Sequence, residues 1–367
     1  MNRKDECGHK LAQVREILGR RQLKGIILGA QNNVSWLSAG GEFHIALSTV
    51  AAAGQILVTP KEAVCFAENI EAARFATEEL AGTDIRVEAS NWWEGKTLEQ
   101  KVAAVADPKL VGADGLGGSF ADVSAEIADL RLSLLDVEVE RFRIVAARAE
   151  HAMWETCQLV EPGMTEYEVA GLLSEQVYAQ GCQPVVNLIA ADERIALYRH
   201  PVPKSTRVDE RVMLVLCVRM KGLVASLTRI VSFEEPDADL VRRHEACVKI
   251  DATLIANSRV GAEYAAIFDK ACKVYADTGY AAEWHLHHQG GPAGYNTREI
   301  RVTPSVKAKA RRNQPVAWNP SITGTKSEDT IIILDGGPEV VTCSLPWPML
   351  EVEAEGDTWR RPDWLML

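Results

Sequence analysis

Three histidines, His285, His287 and His288, crowd the segment EWHLHHQGGPAGYNTRE and lead directly into the glycine pair Gly290-Gly291. An imidazole titrating near neutrality can take a proton from water and return it to a leaving nitrogen. Paired glycines let the backbone approach a ligand closely or adopt positive φ. Strand alternation is expected to put His285 and His287 on one face and His288 on the other. One of His287 and His288 then points at a site, and His288 is favoured. Arg199, Arg229, Arg298 and Lys326 are candidates for holding a substrate carboxylate, because a guanidinium offers a planar two-pronged donor. Tyr295 and Trp318 are candidates to wall the pocket.

The elements that must position these groups fall into two patterns. Residues 1–136 read as an α/β domain. Residues 10–23 form an amphipathic helix, KGIILGA a buried strand followed by a polar turn QNN, GQILVTP and AVCFAE a hairpin, and NIEAARFATEEL a further helix. Residues 137–367 read as α+β. Helices over 138–160 and 165–180 are separated by EPGMTEYE, where Pro162-Gly163 stops the first and Thr165 starts the second. Strands follow over 185–191, 211–218 and 223–232, then helices over 236–258 and 262–278, then mostly β-structure over 283–345.

Composition narrows the function classes. The 367 residues carry a net charge of −11, and KAKARR (Lys307 to Arg312) is the single basic run, which excludes a general nucleic-acid binder. No apolar stretch approaches the roughly 18 residues that a membrane span needs. The polar start MNRKDECGHK lacks a secretory core, so a cytoplasmic location is expected. None of the eight cysteines forms a CxxC pair, and Cys217 alone falls near the candidate site.

Five motifs in order resemble the creatinase/prolidase/aminopeptidase P family across nearly the whole chain. They are NNVSWLSAG with ILVTP, VEPGMTEYEVAGLL, GLVASLTRIV, HHQGG and KSEDTIII. The resemblance implies a pita-bread catalytic domain behind a smaller creatinase-type N-terminal domain. It implies a homodimer too, in which Glu42 and His44 of GGEFH reach substrate across subunits. Metal-dependent members hold two divalent cations with Asp, Asp, His, Glu and Glu. The D-x-G-x-x-x-x-G-x-x-x-D-x-T-R pattern places the two aspartates on Val215 and Ser226. The H-x-x-G motif fits His287 with Gly290 or His288 with Gly291. The first glutamate falls on Asn319, followed by Pro320-Ser321, and only the last survives, as Glu328. From residue 211 to residue 233 there is no Asp or Glu, so no register shift restores the aspartates. Hard divalent ions need several anionic oxygens, so loss of the metal pair is expected, with no cofactor in its place.

Creatinase shows by resemblance how such a site works without metal: a histidine serves as acid/base and carboxylates grip the substrate. Its histidine sits in a segment similar to YRHPVPKSTR, which assigns the role to His200, with His288 and Glu328 as orienting groups. Creatinase's glutamate beside the TR motif is Thr228 here, which points away from creatine toward another small nitrogen-containing substrate. The expected function is metal-independent hydrolysis of a C–N bond in a small amino-acid-like molecule. A lyase or isomerase using the same groups, or a binding protein on the same scaffold, are the alternatives.

Overall fold

A computed structural model describes residues 1–367, which divide into units Met1–Arg131 and Leu132–Leu367. In the first unit a six-stranded mixed sheet runs in the order Ile85–Ser90, Ala63–Glu68, Ala51–Val58, Gly25–Ala30, Val111–Ala113, Ala121–Asp122. Ile27, Leu57, Val64, Phe66 and Val102 fill one of its cores. The first helix spans Arg3–Arg21, starting earlier than its apolar periodicity indicates. Asn2 accepts the Asp5 amide at 2.9 Å, and acids in the first turn with arginines in the last complement the helix dipole. The expected turn QNN is instead the start of a helix, Gln31–Leu37. Buried Asp114 accepts the amides of Gly29 (2.9 Å) and Ala30 (3.1 Å) and the Asn33 side chain (2.5 Å), supplying the anion that this helix start needs.

The second unit repeats one plan twice. Helices Asp136–Leu159 and Glu166–Ala179 precede an antiparallel sheet of Gln183–Ala191, Arg211–Met220 and Leu223–Ser232, to which Leu365–Met366 adds a parallel edge. Thr165 and Glu168 cap each other at the second helix start, as the sequence indicates. Helices Ala238–Ala256 and Tyr264–Asp277 precede a second sheet ordered Gly290–Pro292, Gln314–Trp318, Asp329–Leu334, Gly337–Val340. Ile250, Leu254, Phe268, Tyr275, Trp318 and Ile331 pack its core.

The two sheets meet where the chemistry-bearing residues lie. A β-bridge joins Thr228 to Glu328, and the Thr330 hydroxyl both accepts the Ser226 amide (2.9 Å) and donates to its carbonyl (2.8 Å). Val215 pairs with Thr228 and Cys217 with Ser226, so period-two alternation brings these four to one face. The next residue, Asp329, is anchored from behind. Its carboxylate receives Arg229 at 2.9 Å, Arg361 at 2.5 Å and the Thr342 hydroxyl at 2.6 Å.

Candidate active site

His200 follows the short helix Glu193–Leu197, and His287 follows a 3-10 turn, Glu283–Leu286. Arg199 ties these segments together, donating to Glu283 at 2.7 Å and to Thr323 at 2.9 Å. Glu283 in turn accepts the Thr323 amide at 3.0 Å. The result brings His200 Nε2 to 3.3 Å from His287 Nε2, while His287 Nδ1 lies 3.3 Å from the Ser321 hydroxyl. His288 joins them, its ring centroid 4.7 Å from that of His287 and 6.0 Å from that of His200. The strand that was to separate His287 from His288 begins only at Gly290, so both reach the cluster. His285 stacks on Trp284 instead, at 3.7 Å.

All three clustered imidazoles are held neutral. Burial, then the Lys326 ammonium, pushes His287 down to about 2. Burial with Arg298 and Arg301 brings His288 to about 4, and burial with Lys326 lowers His200 as well. A contact between two neutral Nε2 atoms requires one ring to donate and the other to accept.

Glu328 is 2% exposed and saturated. One oxygen accepts from Lys326 (2.6 Å) and the Thr228 hydroxyl (2.7 Å), the other from Arg298 (3.0 Å). Burial alone would raise this carboxyl, but Lys326 and Arg298 outweigh it and hold it at about 2. Glu328 makes no hydrogen bond to His200 or His288, which corrects its expected orienting role. The partner of His200 is His287.

Other candidates are placed elsewhere. Arg229 is buried, with Thr228 and Thr342 carbonyls and Asp329 taking its donors, and no prong remains for substrate. Arg199 is a positioning residue through Glu283, as above. Trp318 is a core residue whose indole donates to Ser258 at 2.9 Å, and buried Tyr295 donates to Glu138 at 2.6 Å. Glu42 belongs to the first unit, its amide bound by Glu79 at 2.7 Å and its carbonyl by Arg74 at 2.9 Å. Asn319 is buried with Oδ1 unpartnered. Cys217 accepts from Ser226 at 3.1 Å, and burial pushes its thiol up to about 11, so it is no nucleophile. The sequence marks neither Ser321 nor Arg301 as a functional residue. The first directly follows Pro320 in the Asn319 motif, and the second lies three residues beyond Arg298.

A two-metal centre does not fit this set. Val215 offers no ligand atom, Ser226 and Asn319 offer neutral ones, and both oxygens of Glu328 already carry organic cations. The three imidazole ligand atoms lie within 4.8 Å of one another, close enough for one ion. Burial is the main cause that keeps these rings unprotonated, and the charges of Lys326, Arg298 and Arg301 that add to it also oppose a dication there.

Residues 140–335, more than half of the chain, match Metallopeptidase family M24. The chain belongs to this family. Among the relatives of this chain, an uncharacterized peptidase of Staphylococcus saprophyticus is 22% identical over 91% of this chain and 99% of its own length. A prolidase from Pyrococcus horikoshii superposes with a TM-score of 0.77 at 18% identity, covering 92% of this chain and 99% of that one. An Xaa-Pro dipeptidase from Bacillus anthracis gives 0.74 at 18%, over 98% and 100%. The N-terminal domain of the FACT complex subunit SPT16 from chickpea gives 0.73 at 12%, over 92% and 96%. The M24 pita-bread fold, in a hydrolase family, is thereby that of this chain. No helix is long and apolar enough to cross a membrane.

Proposed function

We propose that this M24 protein hydrolyses a C–N bond in a small amino-acid-like substrate without the family's metal pair, with His200 as the proton carrier. The observation that carries this reading is the neutral His200 imidazole, partly sunk in the site but open to solvent on one side and backed by His287 at 3.3 Å, where all but one of the metal carboxylates are missing. His287 is anchored through Ser321, and the Gln289 side chain holds its carbonyl at 2.6 Å, so by accepting from His200 Nε2–H it fixes the direction in which His200 presents its free Nδ1. Neutral His200 accepts a proton from water as the water oxygen bonds to the substrate carbon. The imidazolium then returns that proton to the nitrogen as the C–N bond breaks. Creatinase supplies the precedent by resemblance.

The test is turnover of a panel of N-acyl, ureido and guanidino acids, followed by mass spectrometry before and after treatment with a chelator. Turnover is expected to survive chelation and to fall about 10²–10⁴-fold in His200→Ala. Turnover lost on chelation and restored by manganese, zinc or cobalt would overturn the proposal.

A further inference from the structure

Away from the histidine cluster, the start of the helix Ala238–Ala256 and the chain end around Leu365–Met366 enclose a cavity of about 190 Å³. Val241, Leu350, Trp364 and Met366 form its apolar wall. The strand Thr325–Lys326 separates it from the active site, because neighbouring strand residues face opposite ways. Lys326 turns to Glu328, whereas the Thr325 hydroxyl lies 2.7 Å from His244 Nδ1.

The charged groups of this cavity have one sign. Glu235, Glu245 and Asp363 line it, no Lys or Arg does, and no cation of the chain pairs with Asp363. Asp363 is partly buried, and burial penalises a carboxylate that has no counter-charge. His244 is 4% exposed, and its Nε2, 3.4 Å from Asp363 Oδ1, makes no hydrogen bond. Buried polar groups of native proteins are nearly always satisfied. With Nδ1–H given to Thr325, Nε2 of the neutral ring is an acceptor. An acceptor nitrogen beside an uncompensated carboxylate matches one cation that carries N–H donors. A metal ion is the poorer match, since these ligand atoms do not converge as the three active-site imidazoles do and the apolar wall would go unused.

We infer that this cavity binds a small hydrophobic primary amine, its ammonium on Asp363 beside His244 Nε2 and its stem against Val241, Leu350, Trp364 and Met366. An apolar cavity of about 150 Å³ holds benzene, so this one takes a single aromatic ring with a short linker. Glu235 and Glu245, both exposed at the rim, draw a cation inward and repel anions. Charge thus selects the amine and shape selects the ring.

Calorimetry on the full chain with 2-phenylethylamine tests this, with 2-phenylethanol and butylamine as comparison probes. The aryl amine is expected to bind at least about tenfold tighter than the alcohol, the gain from one charge-assisted hydrogen bond. Asp363→Asn should remove a similar factor, and Glu245→Gln about two- to fivefold. His200→Ala should bind as the unaltered protein does. Asp363 is only partly buried and Glu245 is exposed, so neither variant threatens the fold, and the amine-to-alcohol ratio needs no variant. The imidazole resonances of His244 should shift as the aryl amine is added. Equal affinity for amine and alcohol, no binding of the amine, or unchanged binding in Asp363→Asn would overturn the site. So would shifts confined to His287 and His288, which would place the amine in the active site. Tighter binding of butylamine would overturn it in favour of a lysine side chain from another protein.

Discussion

His200 is the residue on which the chemistry turns, and its environment sets a pH signature. Its pKa is lowered by burial and by Lys326, so the ring stays neutral to a lower pH than a free imidazole. A general base works in its neutral form, so kcat/KM should rise through a pKa below the ordinary 6.5. Lys326→Met removes the second-largest cause of the shift and should move the acid limb upward. An unmoved limb would mean that a group other than His200 limits the rate. The motifs disclosed His200 and Glu328 because each lies in a short contiguous pattern. They did not disclose that His287 backs His200, or that Lys326 and Arg298 occupy Glu328. Those contacts join residues 30 to 87 positions apart, or depend on rotamers that no local spacing encodes.

At the scale of elements, the histidine segment depends on a backbone that only glycine allows. Gly290 has φ of 100°, and a Cβ there would stand 2.1 Å from the Ala317 carbonyl oxygen on the paired strand. Gly290→Ala must therefore either break the Gly290–Trp318 register or move His288 and Gln289. Overpacking and left-handed strain together predict a loss of about 3 kcal/mol or more, read as a lowered denaturation midpoint with shifted imidazole resonances of His287 and His288. An alanine variant with unchanged stability and spectra would show that the strand pairing is not what sets these rings. Asp329 holds the neighbouring strand by other means. Asp329→Asn leaves Arg229 and Arg361 short of charge in a dry interior, so it should cost about 3–5 kcal/mol in denaturant titration. Helices with clear apolar periodicity, such as Asp136–Leu159, were legible in the sequence. The helix Gln31–Leu37 and the turn Glu283–Leu286 were not, since a distant carboxylate and an arginine clamp, respectively, hold them.

For the whole molecule, acid stability depends on imidazoles that folding keeps unprotonated, and His244 isolates the effect away from the active site. Burial pushes His244 down to about 4, while its Nδ1 lies 2.7 Å from the Thr325 hydroxyl and its ring 4.9 Å from that of Trp364. The unfolded chain binds a proton at this position below about 6.5 and the folded chain does not until near 4, so this histidine's contribution to stability declines as pH falls through that window. His244→Gln removes the titration and leaves the active-site groups in place, so shifts at Glu328 and His287 cancel in the difference between the two proteins. At pH 7 the variant should be the less stable, having lost a buried contact. By pH 4 the gap should have moved by about 3 kcal/mol in favour of the variant, from roughly 1.4 kcal/mol per pH unit. Paired urea titrations at pH 7, 5.5 and 4 measure it. Asp363 pairs with this ring, its Oδ1 3.4 Å from His244 Nε2, and burial raises its own pKa. If that carboxylate instead ionises to pair with a protonated His244, folding no longer excludes the proton, and the gap between the two proteins will stay constant across the three pH values.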